Sequence, residues 1–434
     1  MKLKRAKVYR DPVHDIISYE NQGDVGRLMV TLIDTPEFQR LRFVRQVGLA
    51  YLVFHGAEHS RFAHSMGVAY LARRMFDAVR EGSATDCPDR VVTLVAALLH
   101  DIGHGPFSHA MERVFNFHHE DYSRALVSDD DSAICQTLRT FDPTLPERVA
   151  GLLEGRGNAF CADVVSSQMD ADRFDYLLRD SLMAGVEVGG YDLERILLML
   201  EEDENGLLVN VRAFESVEGY LVGRYHMYRL VYFHRCVRGA EAMLQMTFSR
   251  AKELMDQGVG VVAEGSLFGR LMRGDQLAPT EFCSLSEIDA WAQIKDWSRS
   301  ADEVLAELAS SLVNRRMFRA VEQDAGSPAR LARLEAAEAE IVAELGEKSR
   351  YWFTVDVATD EPYSPYVPSS LSRGKAIRVR DRDGSVFRIE ERSPLVGALG
   401  SASYSFRRWC YHPSLSGLVS KVAAAHGVIP GHGA

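Results

Sequence analysis

The run VVTLVAALLH at residues 91–100 is almost entirely apolar and ends in a histidine that is followed at once by Asp101. A run of this kind is typical of a helix that is buried on every side. An imidazole and a carboxylate at its end would cost roughly several kcal/mol if they were buried without a partner. A bound metal ion can be that partner, so this feature predicts a helical core built around a polar centre.

The apolar spacing from about residue 36 onward is largely helical. The segment 64–79 has this pattern, and so do residues 286–320 and 331–345. Residues 215–256 form a helical run much longer than an average helix, which predicts a break or bend within it. We therefore expect a mainly α fold.

The pattern changes near residue 346. WFTVDV at 352–357 alternates, and AIRVR and SVFRIE flank an Asp-Gly turn, which predicts strands. The prolines and serines of residues 361–375 predict a loop. We expect a helical domain over residues 1–345 and a small α+β region over residues 346–434.

Bulk composition excludes several classes of protein. The 434 residues carry a net charge of −11, which argues against general electrostatic attachment to nucleic acid. The six cysteines include no CxxC pair, which favours reduced thiols and a cytoplasmic location. The first 15 residues lack the apolar region of a signal peptide, and no stretch approaches the roughly 18 apolar residues of a membrane span.

Four motifs can supply a metal centre: SRFAHSMG at 60–67, HDIGHGPFSH at 100–109, FHHED at 117–121 and MDADRFDYLLRD at 169–180. Two imidazoles and two carboxylates form a mixed shell suited to one divalent ion of Mn, Fe, Co, Ni or Zn, with positions left for water and a phosphate oxygen. Whether Mg²⁺ also binds together with the substrate is left open. The predicted ligands are His64, His100, Asp101 and Asp172.

Further histidines near this shell are candidates for acid–base chemistry. The glycines of HDIGHG let the chain turn, which can return His104 to the metal. A phosphate leaving oxygen needs a proton, and His104 and His109 are residues that can deliver one near pH 7. His119 can orient or share that role, with His118 as the alternative if the loop register shifts by one residue.

Substrate contacts are predicted from charge and helical spacing. Asp172, Tyr176 and Asp180 recur at helical intervals, so a substrate can lie along one face of their helix. Arginine matches phosphate oxygens with two parallel N–H groups. The arginines assigned to a polyphosphate are Arg61, Arg173 and Arg229.

At these motifs the sequence resembles the HD superfamily, specifically its branch of deoxynucleoside triphosphate (dNTP) triphosphohydrolases, which includes the enzyme that joins a sterile-alpha-motif domain to an HD domain. The similarity also covers residues 7–14 and 33–72 and reaches about residue 240. It implies the four metal ligands named above and the same phosphate-binding arginines. It further implies catalytic roles for His104, His109, His119 and Glu112, a place near the sugar or base for Gln46, and sugar contacts from Tyr176 and Asp180.

The resemblance also implies regulation and assembly. In activated members of the branch, a guanine nucleotide binds between the subunits of a tetramer. The matching positions are Lys7, Val8, Asp34, Gln39 and Arg42. A guanine nucleotide activator and a homo-oligomer, either dimer or tetramer, are therefore expected.

The expected activity is hydrolysis of a dNTP to a deoxynucleoside and intact triphosphate. Two alternatives remain open. A related HD phosphohydrolase could act on nucleoside mono- or diphosphates or on another phosphate ester. A protein of a different class could bind nucleotide or nucleic acid for regulation without turning it over.

Overall fold

The computed structural model describes residues 7–19, 23–115, 117–360, 376–401 and 404–428. Helices dominate, so the predicted mainly α fold is confirmed. The predicted loop at 361–375 lies outside the described residues. The division into two domains at residue 346 stays a prediction.

The largest core lies among the helices that precede residue 230. The helix Pro88–Leu99 is buried along almost its whole length, as its apolar sequence predicts. It packs against the helix Arg61–Val79, which in turn packs against Ala171–Ala184. The other helices of this half are Gly23–Ile33, Pro36–Arg40, His109–Phe115, His119–Ser128, Ala133–Phe141, Leu145–Leu153, Ala159–Val165, Leu193–Leu198 and Phe214–Met227.

The long helical run is broken, as its length predicts. The helix Phe214–Met227 continues into a single π-helical turn, Tyr228–Tyr232. A new helix, Arg235–Asp256, then begins with the His234 side chain accepting a hydrogen bond from the Cys236 N–H at 3.3 Å. Such π-turns are often found at functional sites.

The helix Arg235–Asp256 is the centre of a second core, and the helix Pro328–Leu345 packs around Trp409 in a third. The helical character predicted at about 286–320 is confirmed as two helices, and the second ends at Val313, a few residues before the strand that begins at Arg319. The remaining helices are Leu267–Arg273, Pro279–Phe282, Glu287–Trp297, Glu303–Val313, Ser349–Trp352, Ile389–Arg392, Pro394–Ser401 and Ser416–Ala425.

The strands form three small sheets. Val8–Asp11 and Asp15–Ser18 pair as the N-terminal hairpin. A four-stranded sheet has the order Leu200–Asp203, Gly206–Asn210, Arg378–Arg380, Val386–Arg388, with its middle pair parallel. An antiparallel sheet has the order Arg319–Gln323, Tyr404–Tyr411, Phe353–Asp360. The strands predicted at 352–357 and on either side of the Asp-Gly turn are confirmed.

Across the described residues, none of the helices has both the length and the apolar character that crossing a lipid bilayer requires.

Candidate metal centre and adjoining cavity

The four predicted metal ligands meet at one point of the large core. The donor atoms of His64, His100 and Asp101 all lie within 4.8 Å of one another. The Nε2 atom of His64 is 3.0 Å from Oδ1 of Asp172, and Nε2 of His100 is 3.7 Å from the same oxygen. Residues separated by more than 100 positions in the sequence therefore present two imidazoles and two carboxylates to a common centre.

The outer contacts of the two histidines fix which ring nitrogen faces this centre. Nδ1 of His64 lies 2.8 Å from a carboxylate oxygen of Asp175, and Nδ1 of His100 lies 2.9 Å from the carbonyl oxygen of Ala97. Each Nδ1 is therefore the nitrogen that donates outward, and each Nε2 is the nitrogen that would give its lone pair to a metal ion in exchange for a proton. Within the described part of the chain, both Nε2 atoms are buried and make no hydrogen bond of acceptable geometry. This donor set fits a divalent metal ion.

Charges within the cluster shift the pKa values of its members. Burial alone would lower the pKa of His64, but the carboxylates of Asp172 and Asp175 outweigh burial and raise that pKa to about 10. Burial alone would raise the pKa of Asp101, but the Arg61 guanidinium and two neighbouring histidines hold it well below its usual range. The cluster is therefore tightly coupled and keeps its carboxylates ionised.

The loop at residues 100–104 is held by two polar side chains. The Ser123 hydroxyl donates to the carbonyl oxygen of His100 at 2.8 Å and accepts from the N–H of Gly103 at 3.0 Å. The buried guanidinium of Arg40 donates to the carbonyl oxygens of Ile102 and His104 at 2.7 and 2.8 Å. These bonds fix the path of the loop that carries two of the candidate ligands.

Gly103 is required for a different reason from the one the sequence indicates. Neither glycine of the HDIGHG motif has a positive φ angle. A Cβ atom on Gly103 would instead collide with the backbone oxygen of His119 and the backbone nitrogen of Ser123. The glycine lets the loop approach the next helix closely, and that approach brings His119 to the cluster.

His104 and His119 lie beside the four candidate ligands. Their rings stack with centroids 3.6 Å apart, and Nε2 of His104 is 3.3 Å from Oδ1 of Asp101. Glu112 lies 2.7 Å from Nδ1 of His119 and 3.4 Å from Nδ1 of His104. Burial and the Arg61 charge lower the pKa of His104 well below its ordinary value.

His118 and His109 are the other two histidines that the sequence suggested for catalysis. His118 is exposed, so the structure places His119 rather than the alternative His118 at the cluster. His109 begins the helix His109–Phe115, but its side chain lies outside the described residues.

The helix Ala171–Ala184 begins at the cluster. The Asp170 side chain caps it by accepting from the N–H of Arg173 at 2.7 Å, and Gly185 ends it in the left-handed conformation. Asp172 lies in the first turn, where the helix dipole favours a negative charge.

A cavity of about 450 Å³ opens from the cluster, within the roughly 300–1,000 Å³ range of small-molecule sites. Five of the six residues predicted to contact substrate line it: Gln46, Arg61, Arg173, Tyr176 and Asp180. Asp180 accepts a hydrogen bond from the Tyr232 hydroxyl at 2.6 Å, and its other oxygen lies 2.7 Å from Nε2 of His59.

The sixth predicted residue lies elsewhere. Arg229 is exposed within the π-turn and is not among the residues that line the cavity. Tyr228 and Tyr232 from the same turn do line it, and so does Arg238 from the following helix. These three residues could not be singled out from the sequence, because regular helical spacing gives no sign of the π-turn or of how the next helix is rotated after it.

The predicted effector residues form a cluster near the surface. Nζ of Lys7 lies 2.6 Å from each carboxylate oxygen of Asp34. Gln39 accepts from Nε of Arg42 at 2.8 Å, and the Arg42 guanidinium lies over the Phe62 ring, 3.6 Å from its centroid. Val8 is 50% exposed.

Two family models match this chain: HD domain over residues 61–139 and HD associated region over residues 191–261. YwfO of Bacillus subtilis, an uncharacterised protein, is 36% identical over 400 residues, which are 92% of this chain and 90% of that protein. A solved phosphohydrolase structure from Bacteroides thetaiotaomicron is similar with a TM-score of 0.79 at 29% identity, covering 94% of this chain and 100% of that chain.

The deoxynucleoside triphosphate triphosphohydrolase of Xenopus laevis is 30% identical over 293 residues, which are 56% of this chain and 45% of that protein. The homologue of that enzyme in Dictyostelium discoideum is 28% identical, and the match covers 79% of this chain and 65% of that protein. This chain therefore spans about half to two thirds of the length of these relatives. The chain belongs to the family of HD-domain phosphohydrolases that includes YwfO.

Proposed function

We propose that this chain is a metal-dependent dNTP triphosphohydrolase in which His64, His100, Asp101 and Asp172 hold the ion. The observation that carries the proposal is the meeting of two inward-facing imidazoles and two carboxylates at the end of a cavity with arginines in its wall. A divalent ion in such a donor set polarises phosphate oxygens and lowers the pKa of bound water toward neutrality.

The arginines of the cavity are suited to a triphosphate. Arg61 is buried and reaches both the Asp101 carboxylate and the Ser108 hydroxyl, the latter at 3.0 Å. Arg173 enters the cavity from the first turn of its helix, where it pairs with Asp170. Both guanidinium groups place positive charge in the wall of the cavity that Asp101 and Asp172 also line, where successive phosphates of one substrate can bind.

Other residues of the cavity wall are suited to a deoxynucleoside. Oε1 of Gln46 is buried and has no hydrogen-bond partner within the described residues, so it can accept from a base or a sugar. Tyr176 and Asp180 lie further along the helix from Asp172, at a spacing suited to the sugar hydroxyl. Tyr228 and Tyr232 supply apolar surface next to them.

The residues around His104 are suited to move a proton. In the proposed reaction, water attacks the α-phosphorus, the bond between that phosphorus and the 5′ oxygen breaks, and the 5′ oxygen leaves with a proton as the deoxynucleoside. His104 and His119 lie beside the ligands and share Glu112, so together they can take the proton from water and return it to the leaving oxygen. His109 keeps its predicted catalytic role as a proposal.

The relatives named as dNTP triphosphohydrolases support the choice of substrate. We extend the proposal to a guanine nucleotide activator at Lys7, Val8, Asp34, Gln39 and Arg42 and to a homo-oligomer. The pairing of Lys7 with Asp34 and of Gln39 with Arg42 supports a common site, because these two pairs supply cations for phosphates and acceptors for a guanine edge.

Product analysis tests the substrate and the reaction together. Metal-loaded protein is incubated with each dNTP and each deoxynucleoside monophosphate, with and without GTP, and the products are separated by ion-exchange chromatography. We expect deoxynucleoside and intact triphosphate from dNTPs, with more turnover when GTP is present. Orthophosphate alone would instead indicate a phosphatase acting on other esters, and no turnover with any of several metals would indicate a nucleotide-binding protein.

A further inference from the structure

The buried side chain of His14 lies behind the candidate metal centre and takes no part in the proposed reaction. It is the last residue of the turn of the N-terminal hairpin, and its side chain is only 4% exposed. Its Nε2 atom is 2.6 Å from Oδ1 of Asp175. The ring also packs against Tyr70, with centroids 5.0 Å apart.

Asp175 joins this histidine to a candidate metal ligand. Its carboxylate is fully buried and is shared by three side chains, because Oδ2 lies 2.8 Å from Nδ1 of His64 and Arg179 donates to both oxygens at 2.8 and 2.9 Å. The position of this carboxylate sets the orientation of His64, since the Nδ1 hydrogen bond fixes the plane of the ring.

The same network holds the hairpin by a second route. Arg179 donates to both carboxylate oxygens of Asp11, at 2.8 and 3.2 Å. Oδ1 of Asp11 also accepts from the backbone N–H groups of Val13 and His14, each at 2.9 Å, and so fixes the turn. The turn that positions His14 is therefore bonded to the helix that carries Asp175.

The sequence makes room for this network at Gly67. This glycine lies on the His64 helix, and a Cβ atom there would collide with the carboxylate of Asp175 and the guanidinium of Arg179. A side chain on that face would push the carboxylate away from His64. Gly67 therefore lets the helices Arg61–Val79 and Ala171–Ala184 approach closely enough for Asp175 to contact His64.

We propose that His14 is a positioning residue that orients His64 through Asp175, so that the N-terminal hairpin completes the metal centre. This inference rests on the proposed metal site. It adds that the hairpin and the ion stabilise each other, because coupling between two sites is reciprocal.

The test measures Co²⁺ affinity by visible absorbance after metal has been removed with a chelator. His14→Phe keeps a ring against Tyr70 but has no N–H to donate, whereas His14→Gln can restore a donor. We expect His14→Phe to weaken Co²⁺ binding about tenfold and to alter the absorption spectrum, and His14→Gln to recover most of the affinity. Arg10→Ala changes an exposed residue of the same hairpin and should bind Co²⁺ as the wild type does.

Hydrogen exchange of the wild type provides a second test, which does not depend on whether a variant folds. Co²⁺ should slow hydrogen exchange at the amides of Val13 and His14, which depend on Asp11. Equal Co²⁺ affinity and spectrum in the wild type and His14→Phe, or unchanged exchange at these amides, would overturn the inference alone. A wild type that binds no Co²⁺ would overturn the proposed metal centre as well.

Discussion

His104 and His119 stack face to face, with ring centroids 3.6 Å apart and planes 13° from parallel. The stack lies over Glu112, whose Oε1 atom contacts a ring nitrogen of each histidine. Three side chains that can carry a proton or its charge are thus in mutual contact beside Asp101. Because Glu112 contacts both histidines, a substitution of Glu112 tests the proposed role of both imidazoles in one variant.

Glu112→Gln should lower kcat for triphosphate release by roughly 100-fold, because it removes the charge that orients and balances the two imidazoles. Metal content should stay at the wild-type level, since Glu112 is not a predicted ligand. Steady-state kinetics and elemental analysis measure both quantities. Glu112→Asp keeps the charge on a shorter side chain and should lose less activity; a Gln variant as active as the wild type would exclude this role.

Gly103→Ala should destabilise the protein by about 1–3 kcal/mol, because its Cβ would collide most closely with backbone atoms of His119 and Ser123, which cannot move aside as a flexible side chain can. The same displacement should move His119 and lower activity beyond the effect on stability. Urea denaturation measures the free energy of unfolding. Gly219→Ala is the matched control: it lies exposed in the helix Phe214–Met227 with open space around it, so it should leave stability unchanged or raise it.

Arg40→Lys should lower the free energy of unfolding by about 1–3 kcal/mol, because the three N–H groups of lysine sit on one nitrogen and cannot reproduce the planar spread of the two guanidinium nitrogens that reach three carbonyl oxygens. Arg40 donates to Leu285 at 3.0 Å in addition to its two bonds to the loop at 100–104. Denaturant unfolding provides the measurement, with Arg42→Lys at an exposed position as the comparison. Equal stability of the two variants would show that Arg40 does not hold the loop.

Asp302 should contribute stability that depends on pH. The guanidinium of Arg250 and the N–H of Leu305 hold its pKa below the ordinary value of 3.8. A carboxyl group whose pKa is lowered by folding stabilises the protein above its unfolded pKa and loses that effect as the pH falls through the folded pKa.

The comparison is with Asp302→Asn, which keeps an acceptor for the helix cap but cannot ionise. The wild type should be more stable by about 1 kcal/mol at pH 7. The difference should shrink as the pH falls below about 5, and most of it should be lost below 3.8, as the pH passes through the lowered folded pKa. Urea unfolding at several pH values measures it, and a difference that is constant with pH would contradict the assignment.

The convergence of the candidate ligands could be predicted because histidine and aspartate are rarely found at the ends of buried apolar helices. An HD pair at the end of an apolar helix and a carboxylate at the start of another are visible without any structure. The surroundings of Arg229 could not be predicted in the same way, because its role was inferred from its charge and from the resemblance. In the structure it is exposed within the π-turn Tyr228–Tyr232, and Arg238 lines the cavity.

The contact between His14 and Asp175 could not be predicted either. The two residues are 161 positions apart, and neither periodicity nor composition pairs them. The N-terminal hairpin was also not predicted, since its two strands have only four residues each and show no clean alternation of apolar and polar residues. Long-range pairing of polar groups is decided by how helices pack, which a local pattern does not reveal.

The metal content of purified Asp172→Ala, measured by elemental analysis beside the wild type, tests the central claim most directly. We predict about one divalent transition metal ion per chain in the wild type and almost none in the variant, because the loss of this carboxylate removes one of four donors. Asp180→Ala lies on the same helix and should retain the ion. Wild-type metal content in Asp172→Ala would contradict the proposed centre.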